Sequence, residues 1–192
     1  MTDLRRCARC VLPETHETIL FDEDGVCNVC RGQEYKQSKI DWDAKKKELD
    51  DLIAAYRGKY QYDCIIPFSG GKDSTWAAYY LVREYGIKPL VVCYDHGFMR
   101  RNLLENTKRT IRKLGVDFHM FTPNWKVVQK LMLQSFLDKG DFCWHCHTGI
   151  FAYPMWTAIR YEVPLIFWGE PSAEYTAFYS YEQPEEVDEK RF

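Results

Sequence analysis

Six of the eight cysteines stand in Cys-x-x-Cys pairs: Cys7/Cys10, Cys27/Cys30 and Cys143/Cys146. In a reducing compartment such pairing points to metal rather than to disulfides. Sixteen residues separate the first pair from the second, a spacing that fits a four-thiolate zinc site. Each pair forms a knuckle, and two knuckles complete a tetrahedron around Cys7, Cys10, Cys27 and Cys30. Four thiolates leave no open position, so such a metal is structural. A segment this short buries too little surface to fold alone, and the metal supplies the missing free energy.

The second cluster is Ser69-Gly70-Gly71-Lys72-Asp73-Ser74. Adjacent glycines let the backbone turn tightly and approach a ligand closely. Amide N–H groups at the start of the following helix, with the helix dipole behind them, favour an anion there. Ser69 and Ser74 add hydroxyls, and Lys72 adds a positive charge. The loop is not a Walker A motif: Ile66 stands where that motif begins with glycine, and Asp73 where it has Ser or Thr after the lysine. A third cluster, Cys143-Trp144-His145-Cys146-His147, packs four soft ligands into five residues just ahead of an expected helix at 149–162. A helix amino terminus lowers thiol pKa values. Two readings of Cys143, Cys146 and His147 stand open on the residues alone. One is a second metal or substrate-shaping site; the other is local packing.

Around these clusters the hydrophobic pattern alternates. Short apolar runs at 63–68, 89–94, 117–121 and 164–168 read as buried strands, and helical periodicity covers 73–85, 101–114, 125–138 and 149–162. Strands alternating with helices imply an α/β fold with a doubly wound parallel sheet. Ligands in such sheets sit outside the carboxyl ends of the strands, where Ser69, Asp95 and Gly169 fall. Residues 1–35 read as a zinc ribbon without helical period, 36–60 as a connector helix with Asp41 as its N-cap, and 61–192 as the nucleotide domain. A sheet ending after four strands reads as incomplete at its carboxyl end, or as completed by self-association.

Composition bounds the rest. The chain has 192 residues, 46% of them hydrophobic, and a net charge of −2. No basic excess marks a nucleic-acid-coating surface. No apolar run approaches membrane-spanning length, and the start resembles no signal peptide. The expectation is a cytoplasmic protein without a membrane partner.

The Ser69–Ser74 hexapeptide resembles the PP-loop of the ATP pyrophosphatase (adenine nucleotide α-hydrolase-like) superfamily. The resemblance implies cleavage of ATP between its α and β phosphates, with Lys72, Asp73 and Ser74 carrying the chemistry and Asp73 orienting Mg²⁺. It also implies that Tyr94 and Asp95 border the adenosine and that Gly169 and Glu170 line the nucleotide. In tRNA thiolases of that superfamily a pair like Cys143/Cys146 holds an iron–sulfur cluster with a later third cysteine, and none follows Cys146 here. Taken together, Cys-Ala-Arg-Cys-Val-Leu-Pro-Glu-Thr (7–15), Cys-Asn-Val-Cys (27–30), the loop, Cys-Trp-His-Cys-His-Thr-Gly-Ile (143–150) and Trp-Gly-Glu-Pro-Ser-Ala-Glu-Tyr (168–175) resemble the N-acetyl sugar amidotransferases of bacterial surface-glycan biosynthesis. That resemblance implies an activated acetamido sugar as substrate and ATP, Mg²⁺ and Zn²⁺ as cofactors. It also implies ammonia delivered by glutaminase/cyclase-like partner subunits. A tRNA thiolase and a non-catalytic nucleotide-binding fragment are the competing readings.

Overall fold

The computed structural model describes residues 4–15 and 18–171. The chain divides into two compact units, Met1–Leu49 with Glu170–Phe192, and Asp50–Gly169.

In the first unit the Cys7–Cys10 knuckle closes through hydrogen bonds from the Val11 amide to the Cys7 carbonyl and from the Cys7 amide to the Leu12 carbonyl. Val11 takes a left-handed φ of 58°, a conformation that disfavours a β-branched residue. Its core is Cys7, Ile19, Val26 and Cys27, with Leu12, Phe21, Val29 and Cys30 packed on them. The second knuckle turns directly into helix α1 (Asn28–Ser38), with Cys27 at its N-cap. The ribbon therefore contains a helix where the sequence reading expected none. The reason is that α1 has no buried residue, so it carries no apolar period. Polar contacts hold it instead: Arg31 pairs with Asp22, Asp24 and Glu34, and Glu34 also pairs with Arg9.

Helix α2 (Trp42–Tyr56) begins as expected, with the Asp41 carboxylate accepting from the Asp43 and Ala44 amides. Its apolar face is thinner than its periodicity suggests. Ile53 is buried, but Trp42 is 54% exposed and Leu52 is also exposed.

The second unit alternates β1 (Cys64–Pro67), α3 (Lys72–Glu84), β2 (Pro89–Tyr94), α4 (Arg101–Leu114), β3 (Asp117–Phe121), α5 (Trp125–Lys139) and α6 (Trp144–Arg160). The strands form a parallel sheet in the order β1-β2-β3. Ile65, Leu90 and Val92 on one face pack with Ala158 and Val163, from α6 and the turn after it. Alternation along the strands sends Ile66, Val91 and Cys93, all buried, to the opposite face, where the β1-α3-β2 and β2-α4-β3 crossovers run. The fold is thus an α/β parallel sheet with helices on both faces.

The fourth strand expected at 164–168 is reduced to one parallel bridge, Ile65 with Ile166. Two hydrogen bonds make it: the Ile65 amide to the Leu165 carbonyl, and the Phe167 amide to the Ile65 carbonyl. The next bond of a parallel ladder would come from the amide of residue 67. That residue is Pro67, which has no N–H, so the ladder stops there. A second correction concerns α6. It begins at Trp144 rather than Gly149 and absorbs Pro154 in its interior.

Asp63 clamps the entry to β1. Its carboxylate accepts from the Gly58 and Lys88 amides, both at 2.6 Å, and its own amide donates to the Lys88 carbonyl. The side chain is 8% exposed. Removing it in Asp63→Ala strands two amide donors, and unfolding free energy should fall by about 2–3 kcal/mol in urea titration. A midpoint unchanged from the parent would refute this role. Among the described residues no helix is long and apolar enough to cross a membrane.

Candidate functional site

The winding of the sheet reverses at β1. From β1 the chain steps to β2 and β3 on one side, and the 165–167 segment then returns to the other side of β1. Such a reversal opens a crevice at the carboxyl ends of the strands, and ligands of doubly wound sheets lie there. The Ser69–Ser74 loop occupies that position.

Its geometry is held from within. Gly70 has a φ of +77°, a conformation natural to glycine. Gly71 is the N-cap of α3, and no side chain caps the helix. A helix start of this kind, with its dipole behind it, favours an incoming anion. The Ser69 and Ser74 hydroxyls lie 3.1 Å apart. Ser74 Oγ accepts from the Ser69 amide, and Ser69 Oγ accepts from the Gly71 amide, both at 3.3 Å. These hydroxyls staple the loop, a role the sequence reading did not assign to them. The Lys72 ammonium sits on the Asp73 carboxylate at 2.9 Å, with side-chain exposures of 89% and 45%. An ion pair this open holds little energy, and an incoming phosphate or divalent cation can part it cheaply.

Two close approaches fit the loop into the fold. A Cβ added to Gly70 would lie 2.5 Å from Thr107 Oγ1 and 3.0 Å from a Leu103 methyl, both on α4. A Cβ on Gly169 would lie 3.1 Å from the Cα and 3.2 Å from the amide nitrogen of Ser74. Gly169, from the end of the returning segment, therefore lies against the loop backbone. Glu170 is exposed and belongs to the first unit.

Tyr94 and Asp95 end β2 on the same edge. The Asp95 carboxylate accepts from the Gly97 amide and the Thr122 hydroxyl, so it shapes its own turn. The Tyr94 ring packs on Gly149 so closely that an added Cβ would meet it at 2.3 Å. Gly149 is a site-shaping residue that the sequence reading passed over. Its signal was available: a glycine inside a helix costs about 1 kcal/mol against alanine and implies a close neighbour.

Among the described residues, Cys143, Cys146 and His147 form no three-ligand cluster. Cys143 stands at the N-cap position of α6 without a capping hydrogen bond from its side chain, Cys146 is buried and His147 is exposed. The lowered pKa expected from the helix terminus is overturned. Burial, reinforced by Cys143 and Asp141, pushes the Cys146 thiol up to about 11. Burial and the neighbouring Cys146 likewise raise the Tyr94 hydroxyl. Next to them His145 is 4% exposed, with Nδ1 3.0 Å from the Phe142 carbonyl and no partner for Nε2 among the described residues. Cys64 and Cys93 are pushed up to about 12 and about 11, chiefly by burial, and act as apolar filler.

In the first unit the ligand atoms of Cys7, Cys10, Cys27 and Cys30 all lie within 4.8 Å of one another. The Cys10–Cys27 and Cys7–Cys30 sulfurs are 3.5 and 3.9 Å apart. A tetrahedral zinc with bonds of about 2.3 Å sets its sulfurs about 3.8 Å apart, so the cluster fits such an ion. Burial opposes the Cys7 thiolate, but amides of Cys10, Arg9 and Cys27 outweigh it and bring the thiol down to about 6. Burial moves Cys30 the other way, up to about 12.

No protein-family model matches the chain. An uncharacterized protein of Methanocaldococcus jannaschii is 29% identical over 116 residues, or 58% of this chain. The chain spans 40% of that relative's length. Among solved structures, the chain is similar to an NH3-dependent NAD synthetase from Campylobacter jejuni in complex with nitrate. That match has 15% identity and a TM-score of 0.48, and covers 70% of this chain and 59% of that one. It is also similar to a predicted subunit of tRNA methyltransferase from Methanocaldococcus jannaschii, with 19% identity, a TM-score of 0.41, and coverage of 62% and 58%.

Gly70→Ala both strains a left-handed backbone and drives a methyl onto Thr107. Adenine nucleotide uptake by calorimetry should weaken at least tenfold, with a cost of about 1–3 kcal/mol in stability. Parent-like uptake would show that the loop does not depend on this conformation.

Proposed function

We propose that this chain is an ATP pyrophosphatase-type enzyme that activates an acetamido sugar for amidination. One observation carries the nucleotide part. An uncapped helix start, fed by Gly70 and Gly71, lies at the winding reversal of a parallel sheet with Gly169 pressed against it. A helix start without a side-chain cap, with the helix dipole behind it, suits the β and γ phosphates of ATP. The sugar part rests on the motif resemblance at 7–15, 27–30, 143–150 and 168–175.

The chemistry follows from what an amide lacks. Its carbonyl is a weak electrophile, and its oxygen is a poor leaving group. In this reading the amide oxygen attacks the α-phosphorus of ATP and pyrophosphate departs. Ammonia from a glutaminase/cyclase-like partner adds to the imidate carbon. AMP then leaves with the original oxygen, and loss of a proton yields the acetamidino group. Loop amides stabilise the charge that develops on pyrophosphate. Lys72 supplies a cation to the same charge, and Mg²⁺ held by Asp73 would neutralise the phosphates. Tyr94 and Asp95, at the end of β2, would border the adenosine. Zinc in the four-cysteine cluster would hold the first unit folded and take no part in turnover.

The assay combines purified chain, ATP, Mg²⁺, ammonium and a panel of acetamido sugars. AMP and pyrophosphate should form in equal amounts, with a sugar product in which NH replaces O. Ser74→Ala, which unpins Ser69, should lower turnover about 10²–10³-fold without changing zinc content. AMP formation with tRNA and with no sugar would reject the amidination reading.

The metal reading has its own test. One zinc per chain is expected by elemental analysis. A strong chelator should abolish the helical signal of α1 and leave the unfolding of the sheet unit in place. A chain that keeps that signal free of metal would dismiss a structural zinc.

A further inference from the structure

One stripe of α3 turns away from the sheet. Lys72, Thr75, Trp76, Tyr79 and Arg83 recur at i, i+3, i+4, i+7 and i+11, the spacing of a single helix face. With Thr110, Lys113 and Leu114 of α4 they line a cleft of about 490 Å³. Eleven helical steps from Lys72 to Arg83 make the stripe about 16 Å long, and its upper end is the phosphate loop itself.

The lining is unusual for a solvent-facing helix. Trp76 is 62% exposed and Tyr79 44%. The Trp76 ring lies nearly parallel to Tyr79 and to Tyr80, with centroids 5.7 and 5.9 Å apart and interplanar angles of 27° and 26°. Tyr80 in turn meets Tyr85 edge-on at 5.6 Å. The neighbouring rings therefore hold the indole in place while leaving much of it to solvent. The cleft's charged lining is all of one sign: Lys72, Arg83 and Lys113, with no acidic side chain among the lining residues. Arg83 is braced by donating to the Lys113 carbonyl at 3.1 Å. Thr75, between Lys72 and Trp76 on the same face, completes the loop end of the lining.

A fixed aromatic platform with cations at both ends suits a planar base joined to phosphates. We propose that this cleft binds the nucleoside diphosphate portion of the acceptor substrate, with the base stacked on Trp76 and Tyr79. The phosphates lie toward the loop end of the stripe, and Arg83 and Lys113 meet the carbonyl edge of the base at the far end. The proposal rests on the amidination reading only in placing the acceptor's sugar at the loop; the cleft is defined by its own residues.

Calorimetry on the full chain with uridine 5′-diphosphate and guanosine 5′-diphosphate tests it, with ATP uptake measured in parallel. The wild type should bind a nucleoside diphosphate more tightly than inorganic pyrophosphate, and ATP should not compete one-for-one. Trp76→Leu should weaken that binding about five- to a hundredfold, the effect of losing one base stack. Arg83→Glu should weaken it as well, while both variants keep wild-type ATP uptake. Trp76→Phe should recover most of the affinity.

The proposal falls if the wild type takes up neither diphosphate, if the variants bind as the wild type does, or if ATP displaces the diphosphate stoichiometrically. It falls equally if a single-stranded oligonucleotide binds more tightly through Trp76, or if Trp76 instead mediates self-association in sedimentation. Trp76-dependent diphosphate binding without AMP formation on any sugar upholds the cleft and rejects amidination. AMP formation on a sugar with unaltered binding in the cleft variants does the reverse.

Discussion

The reversal of winding at β1 is the constraint from which the sheet unit's chemistry follows. A strand with parallel neighbours on both sides must send its crossovers to opposite faces. Its carboxyl end is then the one place where no crossover connection lies overhead. The chain puts its two adjacent glycines there. Gly70 uses its freedom to enter a left-handed turn against Thr107, and Gly71 starts α3 without a capping side chain of its own. Gly169 arrives from the far side of β1 with backbone against backbone. Three glycines, from two segments about a hundred residues apart in sequence, therefore meet around the loop backbone. A methyl group at Gly70 would strike Thr107, and one at Gly169 would crowd the Ser74 backbone.

The first unit solves a different problem. It has a small apolar core of Cys7, Ile19, Val26 and Cys27, and half of that core is thiol. Its helix α1 buries nothing and is tied down by the Arg31 fan to Asp22, Asp24 and Glu34. Those pairs are partly exposed and individually weak. The convergence of four sulfurs is what such a unit needs from a metal. The folding of this unit and the geometry of the loop thus rest on separate chemistries.

Much of this was legible in residue order. The four-thiol spacing, the strand-loop-helix context of Ser69–Ser74 and the alternation of β and α are local patterns, and the local geometry follows them. Legibility failed where a partner distant in sequence decides. The fourth strand shrank to one bridge because Pro67, on β1, lacks the amide that residue 167 would have needed. Helix α1 carries no apolar period because charges, not burial, hold it. Cys146 points into the fold, so burial outweighs the helix terminus that was expected to lower its pKa. Trp76, apolar and at helical spacing, lies 62% exposed, since periodicity reports a helix face but not which side is covered.

The sequence by itself determined the pieces: which thiols stand in pairs, which turn requires glycine, and which runs form strands. Backbone propensity and short-range spacing act over a few residues and need no knowledge of the rest. Only the tertiary structure decided the meeting of pieces. It set Gly169 on Ser74, Tyr94 on Gly149, Thr107 behind Gly70, and an aromatic stripe beside α4. The physical reason is that side-chain volume and backbone approach are settled by close packing between segments far apart in sequence, and no local pattern encodes which neighbour will fill the space.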